Sequence, residues 1–117
     1  MKVNVYFVEE GNNQVGYVEG EIDTYTAPIL RQELDAVEVV PNKKIILNLS
    51  KVNYLDSTGL GIFVAFYKRV TRENGQLAFA ELTPRLLRLF EITGLSELMK
   101  IQIDETNEKV EFTNERF

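Results

Sequence analysis

The 117-residue sequence contains no cysteine and no histidine. Without cysteine there is neither a disulfide framework nor a thiolate site, and we expect a cytoplasmic protein because disulfides are typical of secreted ones. Without histidine the chain lacks the commonest general base and the commonest transition-metal ligand of proteins. We therefore predict a protein that is not an enzyme, has no catalytic residue and binds neither a metal nor another cofactor.

Long runs of one residue class are also missing. The apolar stretches are far shorter than the ~20 residues of a membrane span, and MKVNVYFVEE at the start alternates like a strand rather than a signal peptide. The net charge is -5, and no run of lysine or arginine occurs. We expect one domain over residues 1–117, with no membrane or direct nucleic-acid partner, and nothing in the sequence demands more than a monomer.

Hydrophobic periodicity predicts a hairpin followed by alternating strands and helices. Apolar residues alternate in VNVYFV, the turn residues EGNN follow, and the alternation returns in QVGYVEGEI. Helical spacing predicts three helices, which begin near Pro28, near Leu60 and after Thr83, and a short fourth helix over residues 96–100. Between the helices lie the apolar strands KKIILNL, which we expect to be covered on both faces, and QLAFAEL.

This order of elements predicts the fold class. Strand–helix alternation after residue 22 is typical of an α/β fold with a mixed central β-sheet, flanked here by about four helices. Residues 104–117 leave two alternatives open, because Lys109–Thr113 could form an edge strand or belong to a loose tail.

The segment YLDSTGLGIF, residues 54–63, raises the question of what Ser57 does. A nucleophilic serine needs a base, usually histidine, and the hydrolase elbow G-x-S-x-G needs glycine where this chain has Leu55. A dyad with Lys51 or Lys68 has no support, because nothing in the sequence places either amine near the hydroxyl. The sequence therefore argues against nucleophilic catalysis.

A nucleotide-binding loop is the alternative function that this segment suggests. Gly59-Leu60-Gly61 lies between a strand and a helix, as in a dinucleotide fingerprint, but Val64 stands where the third small residue belongs. The lysine–serine/threonine pair of a P-loop is missing. A small nucleotide-binding protein or NTPase that uses the DSTGLG loop remains the alternative.

A third interpretation is structural. Ser57 follows a strand and precedes a helix, where a serine hydroxyl can cap free N–H groups for ~1 kcal/mol, and Asp56 would favour the positive end of the helix. The chain could then be a scaffold-type interaction module in which Ser57 only caps the helix.

The helix after Ser57 has an unusually wide apolar face, about 200° where a surface helix needs about 100°. It is formed by Leu60, Ile62, Phe63, Val64, Phe66, Tyr67 and Val70. Either a second layer covers this helix, or part of its first turn is exposed for a partner.

Three segments together resemble a known family. They are GEIDTYTAPILRQEL at 20–34, ILNLSKVNYLDSTGLGIF at 46–63 and LTPRLLRLFEITGL at 82–95. In this order and spacing, the chain resembles the stand-alone STAS-domain anti-sigma factor antagonists of bacterial partner-switching modules. The likeness is greatest to the general-stress type and next to the sporulation type.

The resemblance implies a single STAS domain and a regulated serine. Ser57 corresponds to the serine that the anti-sigma factor, itself a serine kinase, phosphorylates. The unphosphorylated form binds that kinase and frees the sigma factor, and a PP2C-type phosphatase resets the switch. Asp23 corresponds to an acidic residue near the phosphosite. The implied partner-binding residues are Asp23, Thr24, Tyr25, Thr26, Asp56, Thr58, Gly59, Leu60, Gly61, Ile62 and Phe63.

Overall fold

The computed structural model describes residues 2–94, 100–103 and 110–113. Within these ranges, six strands form one mixed sheet in the order β1-β2-β3-β4-β6-β5, and there are three helices. The strands are β1 (Val3–Glu10), β2 (Asn13–Ile22), β3 (Lys44–Leu55), β4 (Gln76–Leu82), β5 (Lys100–Ile103) and β6 (Val110–Thr113). The helices are α1 (Ala27–Asp35), α2 (Ser57–Arg72) and α3 (Pro84–Ile92). The predicted α/β class with a mixed central sheet is confirmed.

The strands run in both directions within the sheet. β1 and β2 form the predicted antiparallel hairpin, whose turn places Gly11 at a φ of +64°, a conformation that favours glycine. β2, β3 and β4 are parallel neighbours, joined by connections that carry α1 and α2. β6 is antiparallel to both β4 and β5. The parallel centre aligns the carboxyl ends of β2 and β3, where Asp23 and Asp56 follow.

β3 is buried more deeply on one face than on the other. Ile45, Leu47 and Leu49 are completely buried in a single core with side chains of all three helices, whereas Ile46 and Asn48 between them are only half-buried. The expectation that β3 is covered on both faces is met fully on only one face in the described part of the chain, because α1, α2 and α3 all contribute to the core on that face.

Side-chain caps and aromatic contacts fix the helices against the sheet. Thr83 caps α3 as predicted, since its Oγ1 accepts a hydrogen bond of 3.3 Å from the Leu86 N–H. Phe79 of β4 makes edge-to-face contacts with Phe63 of α2 and Phe90 of α3, at ring distances of 5.4 and 5.3 Å. Phe79 thus packs α2 and α3 against the same strand.

The wide apolar face of α2 is buried against the sheet and α1. Leu60, Phe63 and Val70 are at most 4% exposed, and α1 packs directly against α2. Arg69 joins the two helices further, because its guanidinium donates to the carbonyls of Leu34 and Val37 at the end of α1. Of the two explanations for this face, burial is the one that the structure supports.

The C-terminal part differs from the sequence-based expectations. Three helices lie within the described residues rather than about four. Residues 96–99 of the predicted fourth helix lie outside them, and Lys100 begins β5. Residues 110–113 form β6, which lies between β4 and β5 and so is an internal strand rather than an edge strand or a tail. No helix in the described ranges is both long and apolar enough to cross a membrane.

Two glycines of α2 have opposite surroundings and give a stability test. A Cβ at Gly59 would clash with Ile22 and Leu55, whereas a Cβ at Gly61 would have no described residue within 4 Å. We expect Gly59→Ala to lower the free energy of unfolding by about 1–3 kcal/mol through overpacking. Gly61→Ala should raise it by about 0.5–1 kcal/mol, because alanine is the better helix former.

Urea unfolding of both variants and the parent protein measures the difference. The two variants carry the same chemical change two residues apart in one helix, so each serves as the control for the other. Equal effects of the same sign would contradict the close packing of Gly59 on β2 and β3.

Candidate functional site

Ser57 is the first residue of α2, and a single residue, Asp56, connects it to β3. The parallel register pairs Leu55 with Ile22, so β2 and β3 end side by side. The Asp56 N–H donates to the Ile22 carbonyl at 3.2 Å. The sheet therefore brings the loop after Ile22 next to the start of α2, although the two segments are about 30 residues apart in sequence.

Asp56, and not Ser57, is the N-cap of α2. Its backbone is extended, and its Oδ1 accepts a hydrogen bond of 3.0 Å from the Gly59 N–H. The interpretation of Ser57 as a capping hydroxyl was therefore wrong, because the preceding carboxylate already fills that role. Ser57 and Thr58 are exposed, and neither hydroxyl forms a hydrogen bond with another described residue.

Asp23 organises the loop between β2 and α1 from a buried position. Its Oδ1 accepts hydrogen bonds from the N–H groups of Tyr25, at 2.9 Å, and Thr26, at 3.0 Å. The Thr26 hydroxyl donates to the Glu21 carbonyl at 2.7 Å and accepts from the Asp23 N–H at 2.9 Å. The hydrogen bonds to the carboxylate, that from the Thr26 N–H foremost and then that from the Tyr25 N–H, lower the pKa of Asp23 below its ordinary value.

The buried pair Asp23 and Thr26 leaves the middle of this loop exposed. Asp23 is 7% and Thr26 2% exposed, whereas Tyr25 is 85% exposed and Thr24 lies at the surface beside it. Asp23 thus stabilises the loop conformation through buried hydrogen bonds, while its own side chain is hardly accessible to a partner.

A groove of about 490 Å³ runs between the first turns of α1 and α2. It brings together five of the residues predicted for the site, Thr24, Ser57, Thr58, Gly61 and Ile62, with Ala27, Pro28 and Arg31 of α1. It does not include the remaining predicted residues. Gly59, Leu60 and Phe63 are buried in the core, and Asp56 is half-buried at the cap.

Arg31 is the groove residue that the sequence did not point to. It lies on the exposed side of α1, where an arginine is usually only a solvated surface residue. Its position opposite Ser57 depends on how α1 packs against α2, and no periodicity within α1 encodes that. The sequence contained one indication of this position. Arg31 follows Ala27 by about one helical turn, so the two residues lie on the same side of α1.

The connection between β3 and α2 is not shaped as a nucleotide cradle. A Gly-rich phosphate loop needs several residues of free backbone around the pyrophosphate. Here Asp56 alone joins the two elements, its carboxylate caps the helix, and Gly59 packs against Ile22 and Leu55. This geometry disfavours the alternative of a nucleotide-binding protein that uses the DSTGLG loop.

The lowered pKa of Asp23 predicts a pH dependence of stability. The ionised carboxylate accepts hydrogen bonds more strongly than an amide, so Asp23→Asn should reduce the free energy of unfolding at neutral pH. Because the pKa is lower in the folded state, this contribution is complete above 3.8, the ordinary value, and is lost as the pH falls through the folded pKa.

Urea unfolding at neutral pH and in steps from about pH 5 to about pH 3 tests this linkage. The difference between the parent protein and Asp23→Asn should shrink below pH 3.8. Asp35→Asn, at the exposed end of α1, is the matched control. A difference between parent and Asp23→Asn that stays constant over the whole range would contradict the role of the ionised carboxylate.

Comparisons with known proteins agree on one family. The family model described as "STAS domain" matches residues 7–110. A Listeria monocytogenes protein named "Anti-sigma-B factor antagonist" is 38% identical over 103 residues, which are 87% of this chain and 90% of that one. The Bacillus subtilis protein of the same name is 40% identical over 101 residues, 86% of this chain and 92% of that one.

A solved structure shows the same likeness in three dimensions. The crystal structure of an anti-sigma factor antagonist from Mycobacterium paratuberculosis is similar with a TM-score of 0.72 and 32% identity, covering 81% of this chain and 80% of that chain. A family model that matches most of the chain, two relatives above 35% identity and this structural likeness lead to one conclusion. The chain belongs to the STAS-domain family.

Proposed function

We propose that the chain is an anti-sigma factor antagonist of a bacterial partner-switching module. In this proposal the unphosphorylated protein binds an anti-sigma factor that is a serine kinase, and the sigma factor is released. Phosphorylation of Ser57 abolishes the binding, and a PP2C-type phosphatase restores it. The protein acts in the cytoplasm as a regulator and not as an enzyme. The names of the relatives at 38% and 40% identity support the class of function.

The observation that carries the proposal is the free hydroxyl of Ser57. A kinase must bring the hydroxyl of its substrate to the γ-phosphate of ATP, so the residue has to be exposed and unbound. Ser57 meets both requirements, because it is exposed and has no hydrogen-bond partner among the described residues. Asp56 performs the capping that would otherwise occupy such a serine.

In this proposal the kinase docks on the exposed part of the site. Thr24, Thr58, Gly61 and Ile62 line the groove together with Ser57. Tyr25 follows Thr24 and is exposed. Tyr25 offers an exposed aromatic ring, the residue type that most often anchors protein–protein interfaces. This surface is stabilised by the hydrogen bonds of Asp23, Thr26 and Asp56. Beneath it, the buried residues Gly59, Leu60 and Phe63 pack in the core.

The charge of a phosphate explains how one modification could exchange partners. Phosphorylation adds about -1.5 to -2 charges at pH 7. The added charge would lie next to the Asp56 carboxylate, and covering both anions with a partner requires matching cations. A loss of about 3–4 kcal/mol lowers affinity several-hundred-fold, which is enough for the kinase to release this protein.

Substitution of Ser57 tests the proposal. Ser57→Asp places a permanent negative charge at the site and should abolish binding to the cognate anti-sigma kinase, with a loss of about several-hundred-fold in affinity. Ser57→Ala, which adds no charge, should bind like the parent protein and resist inactivation. Isothermal titration calorimetry measures both affinities.

Asn4→Asp is the control for charge alone. It adds one negative charge without a change in size, at an exposed position on edge strand β1. It should bind the kinase with unchanged affinity. Tight binding of Ser57→Asp would refute the charge mechanism, and equal losses for Asn4→Asp and Ser57→Asp would show that the effect is not local to the groove.

A further inference from the structure

We infer that Arg31 is the intramolecular cation that pairs with the phosphate of phosphorylated Ser57, so that the phosphate lies in the groove between α1 and α2. This inference rests on the proposed phosphorylation of Ser57 and adds a second residue to the switch. It assigns to α1 an active part in the phosphorylated state, beyond its packing against α2.

Among the described residues that line the groove, Arg31 is the one that carries a charge. It is exposed, and it forms no hydrogen bond or ion pair with another described residue. Arg69, which also lies between α1 and α2, is in a different situation. Its guanidinium is bound to two carbonyls of the α1 end and lies 3.5 Å from the Glu73 carboxylate. Of these two arginines, Arg31 is thus the one with its donors available.

The start of α2 already holds one anion, and this directs the phosphate towards the groove. The Asp56 carboxylate accepts the Gly59 N–H and occupies the positive end of the helix. A phosphate on Ser57 would be repelled by this carboxylate if it stayed there, since like charges at short range destabilise each other. On the groove side of Ser57 lies the positively charged guanidinium of Arg31.

The described residues leave the groove unobstructed beside Gly61, which lines it together with Ser57 and Arg31. Even a Cβ added at Gly61 would have no described residue within 4 Å. A guanidinium presents several N–H donors in one plane and binds two phosphate oxygens at once. The side chain of Arg31 is long and exposed at the groove, so its guanidinium can reorient towards Ser57.

The pairing of Arg31 with the phosphate would change the shape of the groove as well as the charge of the site. In the unphosphorylated protein the groove beside Thr24 and Ile62 can receive a side chain of the kinase. With the phosphate held by Arg31, the same space is filled. One modification would then both add negative charge and close the groove to the partner.

The second pKa of the phosphate, ordinarily about 6, reports a nearby cation directly. We would prepare the full chain with phosphoserine incorporated at position 57 during translation and follow the phosphorus NMR shift with pH. Removal of a paired cation favours the protonated phosphate, so Arg31→Gln should raise this pKa by about 0.5, a threefold change in the acidity constant. Arg31→Lys should retain part of the effect, because lysine keeps the charge but not the fork of donors.

Arg72→Gln is the matched control. It removes the same charge from the last residue of α2, about 22 Å along the helix from Ser57. The inference holds if Arg31→Gln raises the pKa clearly more than Arg72→Gln does, and it is overturned if the two variants titrate alike. The phosphate is installed without any kinase, so neither result depends on whether Ser57 is phosphorylated in the cell.

Discussion

The hydrogen bond between the Asp56 carboxylate and the Gly59 N–H decides what the rest of the site can do. It caps α2 from the residue before Ser57 and satisfies a donor that a serine hydroxyl would otherwise take. Ser57 therefore lies in the first turn of α2, and its hydroxyl has no hydrogen-bond partner in the part of the chain that the structure describes. A hydroxyl that a kinase phosphorylates has to be accessible to the γ-phosphate of ATP, and the cap at Asp56 leaves the Ser57 hydroxyl available for that.

The position of the first turn of α2 depends on close packing against the sheet. Gly59 lies directly on Ile22 and Leu55, at the ends of β2 and β3. A larger residue there would push α2 away from the sheet and from the loop that Asp23 and Thr26 hold. The exposed surface and the buried support therefore alternate along a few residues, since Ser57, Thr58 and Gly61 face outwards while Gly59 and Leu60 face the core.

Local patterns in the sequence predicted much of the fold. Alternation predicted the β1–β2 hairpin, and Thr83-Pro84 predicted the start of α3, because strand periodicity and helix capping act over only a few residues. The cap of α2 was misassigned because aspartate and serine, both good caps, stand side by side. The place of β6 within the sheet and the position of Arg31 in the groove depend on contacts between distant segments, which no local pattern contains.

The central claim is that Ser57 is the substrate of a kinase that the unmodified protein binds. The most direct measurement is the intact mass of the purified protein before and after incubation with the cognate anti-sigma kinase and ATP, with Ser57→Ala treated in parallel. We predict the addition of one phosphate to the parent protein and none to Ser57→Ala. An unchanged parent mass, or a phosphate added equally to Ser57→Ala, would contradict the claim.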